Sequence, residues 1–344
     1  MFLTRNLARG ALAAVAGLGA QMALADSISP TSYAATVGVG GTTTVNKTVT
    51  VNREATTSQL DIFFLADTTG SMGSAISSVV ANATSLLASS AALGDVHWAV
   101  GEYKDTGDAF AYRVNTAFTS NQALVTAGIG AWGASGGGDL PEANLFGLQS
   151  AANNSGWRAT AGKVIVWFGD ATGHDPSLGA TEASATAALQ AKGIKVEAVN
   201  NGNLDATGQA TRITAATGGA LFGSSGSGVG AAIAAAINSA VSNYTKVCLD
   251  TSETPAGLSA TSSACVSGTF DRSIDRTFNF TLDFTGISAG DYSFNTYGTV
   301  DGGRVATEAD RISVTGSTVP EPGTLALIAL AALTGAGIRS RRAA

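Results

Sequence analysis

The chain has 344 residues, of which 45% are hydrophobic and 13% charged, so it contains enough apolar material for one large or two medium domains. This composition excludes an intrinsically disordered polymer. The formal net charge is −6, and it falls to about −10 when the two terminal segments described below are removed. No basic patch is left to neutralise phosphates, so we do not expect a nucleic-acid partner.

The first 25 residues have the pattern of a secretory signal peptide. Two arginines precede an apolar run at residues 11–20, and Ala-Leu-Ala at 23–25 is a small-residue cleavage site. A buried N-terminal helix is the alternative, but the charge, the apolar run and the cleavage site come in the order of a signal peptide. We therefore predict an exported protein whose mature chain starts near Asp26.

Residues 26–58 are predicted to form β-strands. They are rich in Thr and Val on both sides of a Gly-Gly pair at 40–41, a composition typical of strands joined by a turn. This segment is too short to provide the strands of an independent domain.

Residues 59–245 alternate short, wholly apolar runs with helical segments. The apolar runs, at 60–66, 96–101, 163–168 and 194–199, are too apolar for half-exposed antiparallel strands. The predicted helices lie at 75–91, 122–132, 142–152, 180–192, 209–217 and 230–244. This alternation predicts a doubly wound α/β domain, with a mostly parallel sheet and helices on both faces. Ligands of such sheets bind beyond the carboxyl ends of the strands.

Residues 246–317 return to the character of the first flank. The segment 278–284 alternates apolar and polar side chains, and Gly290-Asp291 and Asp301-Gly302 mark turns. Because neither flank alone has enough strands, we predict that the two flanks combine into one discontinuous β-sandwich, with the α/β domain inserted between them. A separate N-terminal strand and a separate C-terminal sandwich are the alternative, because nothing in the local sequence shows which strands pair.

The chain has two cysteines, Cys248 and Cys265, both in the C-terminal flank. In an exported chain such a pair is most simply a disulfide. A metal site would need further Cys or His residues nearby, and none is there.

Residues 318–344 form a tripartite tail. Pro320-Glu321-Pro322 precedes a nearly uncharged stretch at 324–338, and arginines follow. The stretch would reach roughly 24 Å as a helix, which is marginal for a bilayer core of about 30 Å. The tail resembles the PEP-CTERM sorting signal of Gram-negative bacteria. That resemblance implies transient membrane association, removal of the tail by an exosortase, and delivery to the cell surface or extracellular matrix. A plain transmembrane anchor is the alternative.

The segment Asp67-Thr68-Thr69-Gly70-Ser71 follows the first apolar run of the α/β domain. A carboxylate and two hydroxyls at alternate positions, where a strand ends and a helix begins, offer hard oxygen ligands for a small divalent cation. Two further loops bring carboxylates to the same sheet edge, with Asp139 and Glu142 in one and Asp170 in the other. Helix caps and surface turns are the alternative role for these residue types.

These loops resemble the metal-ion-dependent adhesion site (MIDAS) of the von Willebrand factor A (vWA) domain. The resemblance implies that Asp67, Thr69, Ser71, Glu142 and Asp170 hold a divalent cation, with Mg²⁺ expected first and Ca²⁺ or Mn²⁺ as alternatives. Most family members place Thr in the second loop.

In this chain the second loop, Asp139-Leu140-Pro141-Glu142, is similar instead to that of integrin β subunits. That similarity implies a second ion held by Asp105, Asp139 and Glu142. The Asn that completes the second site in integrins is replaced by Gly137, so the second ion is a hypothesis. The two Asp residues of the third integrin site are replaced by Ser74 and Ala75, so at most two ions are expected.

The resemblance implies a non-catalytic binding role, in which the metal takes an acidic group from a partner. The partner would be an acidic protein ligand or an anionic exopolysaccharide. One alternative is a structural matrix component whose metal only stabilises the fold. Another is a metal-dependent hydrolase, but the chain has only two His and no H-E-x-x-H or G-x-S-x-G motif.

Overall fold

A computed structural model describes residues 25–53, 57–154 and 156–316. The predicted sorting tail, and all of the predicted signal peptide except its last residue, lie outside the described residues. In chain order the strands are β1 (Ser27–Ser29), β2 (Ser32–Gly38), β3 (Thr42–Val51), β4 (Thr57–Asp67), β5 (Gly94–Tyr103), β6 (Tyr112–Thr119), β7 (Gly162–Gly169), β8 (Ile194–Asn200), β9 (Leu221–Gly223), β10 (Asn243–Asp250), β11 (Leu258–Ser262), β12 (Val266–Asp271), β13 (Arg276–Gly286), β14 (Gly290–Val300) and β15 (Gly303–Thr315). The α-helices are α1 (Gly73–Ala91), α2 (Gln122–Gly130), α3 (Asn144–Asn153), α4 (Glu182–Ala191), α5 (Gln209–Thr217) and α6 (Val229–Ser242).

The central sheet has the strand order β6-β5-β4-β7-β8-β9. All neighbouring strands are parallel except the edge strand β6, which runs antiparallel to β5. Helices α1, α2 and α6 pack on one face, and α3, α4 and α5 pack on the other. Burial on both faces explains the continuous apolar runs within β4 and β7. The predicted doubly wound α/β fold is confirmed.

Several elements differ from the sequence prediction, among them the short edge strand β9, which was not predicted. Strand β6 was not predicted because its side chains are only partly buried, so it lacks the apolar run that marks the central strands. The last helix ends at Ser242 rather than at residue 244, because Asn243 is already extended and begins β10. Tyr244 therefore packs in the core of the flanking sheets instead of on a helix face.

Both flanks contribute strands to each of two further sheets. Their orders are β1-β3-β13-β11 and β12-β10-β14-β15-β2. Strand β3 pairs with β13 along its whole length, and β2 lies parallel to β15. The two flanks thus form one discontinuous β-sandwich, as predicted, with the α/β domain inserted between β3 and β10.

A disulfide joins Cys248 of β10 to Cys265, just before β12, with their Cα atoms 4.5 Å apart. Within the described residues, no helix is both long and apolar enough to span a bilayer.

Candidate functional site

The predicted site residues lie beyond the carboxyl ends of β4, β5 and β7, at one edge of the central sheet. The first loop follows β4 and leads through a 3₁₀ turn at Gly70–Met72 into α1. The second loop precedes α3, and the third follows β7. Because parallel strands end at the same edge, three loops that are distant in sequence meet there.

In the first loop, Asp67 organises the backbone and the hydroxyls that follow it. Asp67 is fully buried, and its Oδ1 accepts hydrogen bonds from Thr69 N (2.9 Å) and Thr69 Oγ1 (2.7 Å). Thr69 Oγ1 lies 3.4 Å from Ser71 Oγ. The alternate spacing therefore gathers the three predicted ligands of this loop on one side of the turn.

Asp170 connects the third loop to the first. Ser71 Oγ donates to Asp170 Oδ1 at 3.1 Å, although the two residues are 99 positions apart. A continuous chain of polar contacts thus runs from Asp67 through Thr69 and Ser71 to Asp170. Two carboxylates and two hydroxyls converge in this chain.

Glu142 approaches from the second loop and is almost fully buried. Its backbone is anchored to the third loop on both sides, by Glu142 N to Thr172 O (3.0 Å) and His174 N to Glu142 O (2.8 Å). Gly137 of the same loop has a φ of +70° and passes so close that an added Cβ would lie 2.8 Å from Glu142 Oε1 and 2.6 Å from Thr69 Cβ. Only glycine fits between the two loops at this point.

Several carboxyl groups lie close together at the site, and the pKa values of two of them are raised. Burial raises the pKa of Asp67 to about 7, and the nearby Asp170 charge adds to the increase. Burial also raises the pKa of Glu142 to about 8, with contributions from Asp67, Asp105 and other neighbouring carboxylates. Removing water from several negative groups at once is costly unless a positive charge compensates them.

Two buried carboxylate oxygens at this site, Asp67 Oδ2 and Glu142 Oε2, have no hydrogen-bond partner among the described residues. Buried polar atoms are rarely left unsatisfied in proteins. Carboxylate and hydroxyl oxygens are the ligands that Mg²⁺ and Ca²⁺ prefer, so the residues present fit a divalent cation.

The residues predicted to hold a second ion are only partly brought together. Asp105 is buried and its Oδ1 lies 3.2 Å from His174 Nε2, whereas Asp139 is exposed. In the part of the chain that the structure describes, no group of three or more Asp, Glu, His or Cys side chains is arranged to hold a metal. The second ion stays a prediction, and the first site depends on the hydroxyls of Thr69 and Ser71 as well as on carboxylates.

Two residues that shape the site were not predicted from the sequence. Asp108 Oδ2 accepts hydrogen bonds from Gly137 N (2.9 Å) and Asp105 N (3.1 Å), and so positions the second loop. Buried Lys104 donates to the backbone carbonyls of Thr68 and Ser135 and ties the first loop to the second. The D-T-G-D spacing at 105–108 was the available signal for Asp108, because Asp and Gly favour a turn that can hold a neighbouring backbone.

Comparisons with known proteins match two segments of the chain. Residues 61–220 match the family model of the von Willebrand factor A domain, and residues 318–342 match that of the PEP-CTERM protein-sorting motif. The sorting motif implies processing by an exosortase and indicates an exported protein of a Gram-negative bacterium. No curated protein matches the chain.

Several solved structures align with the chain at low identity. A von Willebrand factor type A protein from Catenulispora acidiphila is 14% identical with a TM-score of 0.45, over 86% of this chain and 75% of that one. The vWF domain of the type V pili tip protein Mfa5 from Porphyromonas gingivalis is 15% identical with a TM-score of 0.40, over 54% and 96% of the two chains. Proximal thread matrix protein 1 from the mussel byssus is 15% identical with a TM-score of 0.42, over 55% and 48%. By the two family models, the chain contains a von Willebrand factor A domain at residues 61–220 and a PEP-CTERM protein-sorting motif at residues 318–342.

Proposed function

We propose that this protein binds an acidic group of a partner through a divalent cation held at a MIDAS, outside the cell and without catalysis. Asp67, Thr69 and Ser71 would hold the ion, with Asp170 and Glu142 beside them. Mg²⁺ is the ion we propose first, because it accepts a small number of protein oxygens and keeps its other positions for water or a ligand. A bound ion would supply a positive centre that prefers oxygen ligands.

One observation carries this proposal: the polar chain from Asp67 to Asp170 lies beside two buried carboxylate oxygens that have no hydrogen-bond partner among the described residues. Helix capping would not account for this arrangement, because Thr69 makes no side-chain capping hydrogen bond at the 3₁₀ turn and Met72 makes none at α1. A cation would satisfy the free oxygens and offset the repulsion among the acids.

The site has an accessible edge through which a partner could reach. Gly70 and Ser71 are exposed, and Asp170 is half-buried, whereas Asp67 and Thr69 lie beneath them. A partner carboxylate approaching this edge would meet the ion before it met the buried acids. We propose an acidic protein side chain or an anionic exopolysaccharide as the ligand, in keeping with the location that the sorting motif implies.

Calorimetric titration of the purified protein with MgCl₂ tests the metal site. Wild-type protein should bind Mg²⁺, and Asp67→Ala should abolish that binding because it removes the central carboxylate. Asp139→Asn is the matched control, since it removes an exposed carboxylate from a neighbouring loop and should leave the first ion in place. Mg²⁺ binding that survives in Asp67→Ala would contradict the assignment, and a lower stoichiometry in Asp139→Asn would reveal the second ion.

Ligand capture separates adhesion from a purely structural role for the metal. Immobilised protein is incubated with whole cells and with an exopolysaccharide fraction, in Mg²⁺ or in EDTA. For an adhesive site, capture is lost both in EDTA and in Asp67→Ala. If chelation lowers the melting temperature but leaves capture unchanged, the ion only stabilises the fold by binding the native state.

A further inference from the structure

Three ionisable side chains lie together in the core of the β-sandwich. Lys47 projects from the inner face of β3, and Glu308 and Asp310 project from the inner face of β15, with exposed fractions of 0%, 0% and 2%. Side chains of a strand alternate between its two faces, and Lys47 occupies the same inward row as the buried Val45 and Val49. A sandwich core normally has apolar residues at all such positions, so these three call for an explanation.

The Lys47 amine contacts both carboxyl groups. Lys47 Nζ lies 3.1 Å from Asp310 Oδ1 and is also in contact with Glu308 Oε2. Thr296, on the neighbouring strand β14, donates its hydroxyl hydrogen to Asp310 Oδ2 at 2.6 Å. One amine is thus placed between two carboxyl groups, and one of these is oriented by a hydroxyl.

The surroundings of the cluster are apolar. The Lys47 ammonium lies 5.4 Å from the ring centre of Tyr33 and 5.9 Å from that of Phe284. Apart from its contact with Lys47, Glu308 has no hydrogen-bond partner in the described part of the chain, and burial raises its pKa. One cation facing two carboxyl groups leaves a surplus of negative charge in the core, which favours retention of a proton there. Buried ions of this kind are costly to keep.

We propose that Lys47 and Asp310 condense to an intramolecular amide bond, with Glu308 as the proton carrier. The Lys47 ammonium first gives a proton to the Asp310 carboxylate, which leaves a neutral amine and a neutral acid. The Nζ lone pair then attacks Asp310 Cγ, and a C–N bond forms. Glu308, which begins protonated, gives its proton to Oδ1 and takes one from Nζ, the C–Oδ1 bond breaks, and one water leaves.

The remaining oxygen, Oδ2, becomes the amide carbonyl and keeps its hydrogen bond from Thr296. No oxidant or further reactant is consumed, because an amine and a carboxylic acid give an amide and water. The fold holds the reacting atoms in position, which is the condition under which intramolecular reactions gain most. The product has no buried ion pair, since the amide is neutral and Glu308 is left protonated.

The bond would join the two flanks of the discontinuous sandwich covalently. Lys47 and Asp310 are 263 positions apart, and the vWA domain lies between them in sequence. Strands β3 and β15 belong to different sheets, so the link would also hold the two layers together. The two sheets would then stay joined even when the hydrogen bonds between their strands break.

Peptide mapping of the purified, folded protein tests the proposal. After reduction and denaturation, trypsin should fail to cleave at Lys47, and the peptide ending at Arg53 should be joined to peptide 305–311, with a combined mass lower by one water. No Lys or Arg lies between Arg9 and Lys47, so the peptide ending at Arg53 begins at the N-terminus of the processed chain, and that N-terminus is determined first by sequencing. We expect peptide 305–311 to be released without the link from three variants: Lys47→Met, Asp310→Ala and Glu308→Gln. In the last two variants the released peptide carries the substitution. The exposed control Lys246→Met should retain the link.

A folded wild-type protein that is cleaved completely at Lys47 would overturn the proposal and leave a buried ion pair. Complete linkage in Glu308→Gln would overturn the role given to Glu308. The peptide map of the wild-type protein tests the proposal by itself, so the test stands even if a variant fails to fold. The result is independent of the metal site, since chelation and Asp67→Ala should leave the link unchanged.

Discussion

Gly137→Ala should disturb the metal site through the backbone alone. The new methyl group would lie 2.6 Å from Thr69 Cβ and 2.8 Å from Glu142 Oε1. Carbon atoms pack at about 3.5–4.0 Å, so the second loop would have to retreat by roughly 1 Å. A left-handed residue with a Cβ adds about 1–2 kcal/mol. We expect the free energy of unfolding to fall by about 2 kcal/mol, which lowers the melting temperature by roughly 4–8 °C.

The same retreat should weaken metal binding. Metal–ligand distances are held within about 0.2 Å, so a shift of roughly 1 Å takes Glu142 out of reach. We expect the Mg²⁺ affinity to fall at least about tenfold, or about 1.4 kcal/mol, in calorimetric titration. Gly138→Ala is the matched control, because its methyl group would meet no atom within 4 Å. Wild-type affinity and melting temperature in Gly137→Ala would refute the close approach of the two loops.

Two further variants test the burial of Glu197 and the disulfide. Burial raises the pKa of Glu197 from 4.5 to about 7, so the folded state loses stability as the pH rises through that window. Glu197→Gln can still accept the hydrogen bond from Ala220 N, and in urea unfolding its stability relative to wild type should increase from pH 4.5 to pH 8 by up to about 3 kcal/mol. A pH-independent difference would contradict this. Replacing Cys248 and Cys265 by Ser opens a link of sequence separation 17 and should cost about 3 kcal/mol in the same assay, with an unchanged unfolding curve as the contrary result.

The residues of the proposed metal site were predictable to different degrees. Asp67, Thr69 and Ser71 lie within five positions of one another, so a single loop presents them together and the sequence alone suggests their chemistry. Glu142 and Asp170 were placed by resemblance to a known family. The structure brings Asp170 to the first loop through Ser71, and it shows which oxygens have no hydrogen-bond partner in the described residues.

Other contributions to the site could not be predicted because their partners are backbone groups of distant loops. Lys104 and Asp108 bind carbonyl and amide groups that carry no residue-specific signal. The edge strand β6 was missed for a related reason, since a partly exposed strand lacks the continuous apolar run of its neighbours.

The sequence by itself determined the local order of the vWA domain, because burial on both faces of a parallel sheet demands apolar runs and amphipathic helices that are visible along the chain. It also determined the loop from Asp67 to Ser71, which we propose to bind a metal, and the two cysteines. Only the tertiary structure decided how β3 pairs with β13 and how Lys47 meets Asp310. Such contacts span the inserted domain, and their energy is spread over many side chains, so no local pattern specifies them.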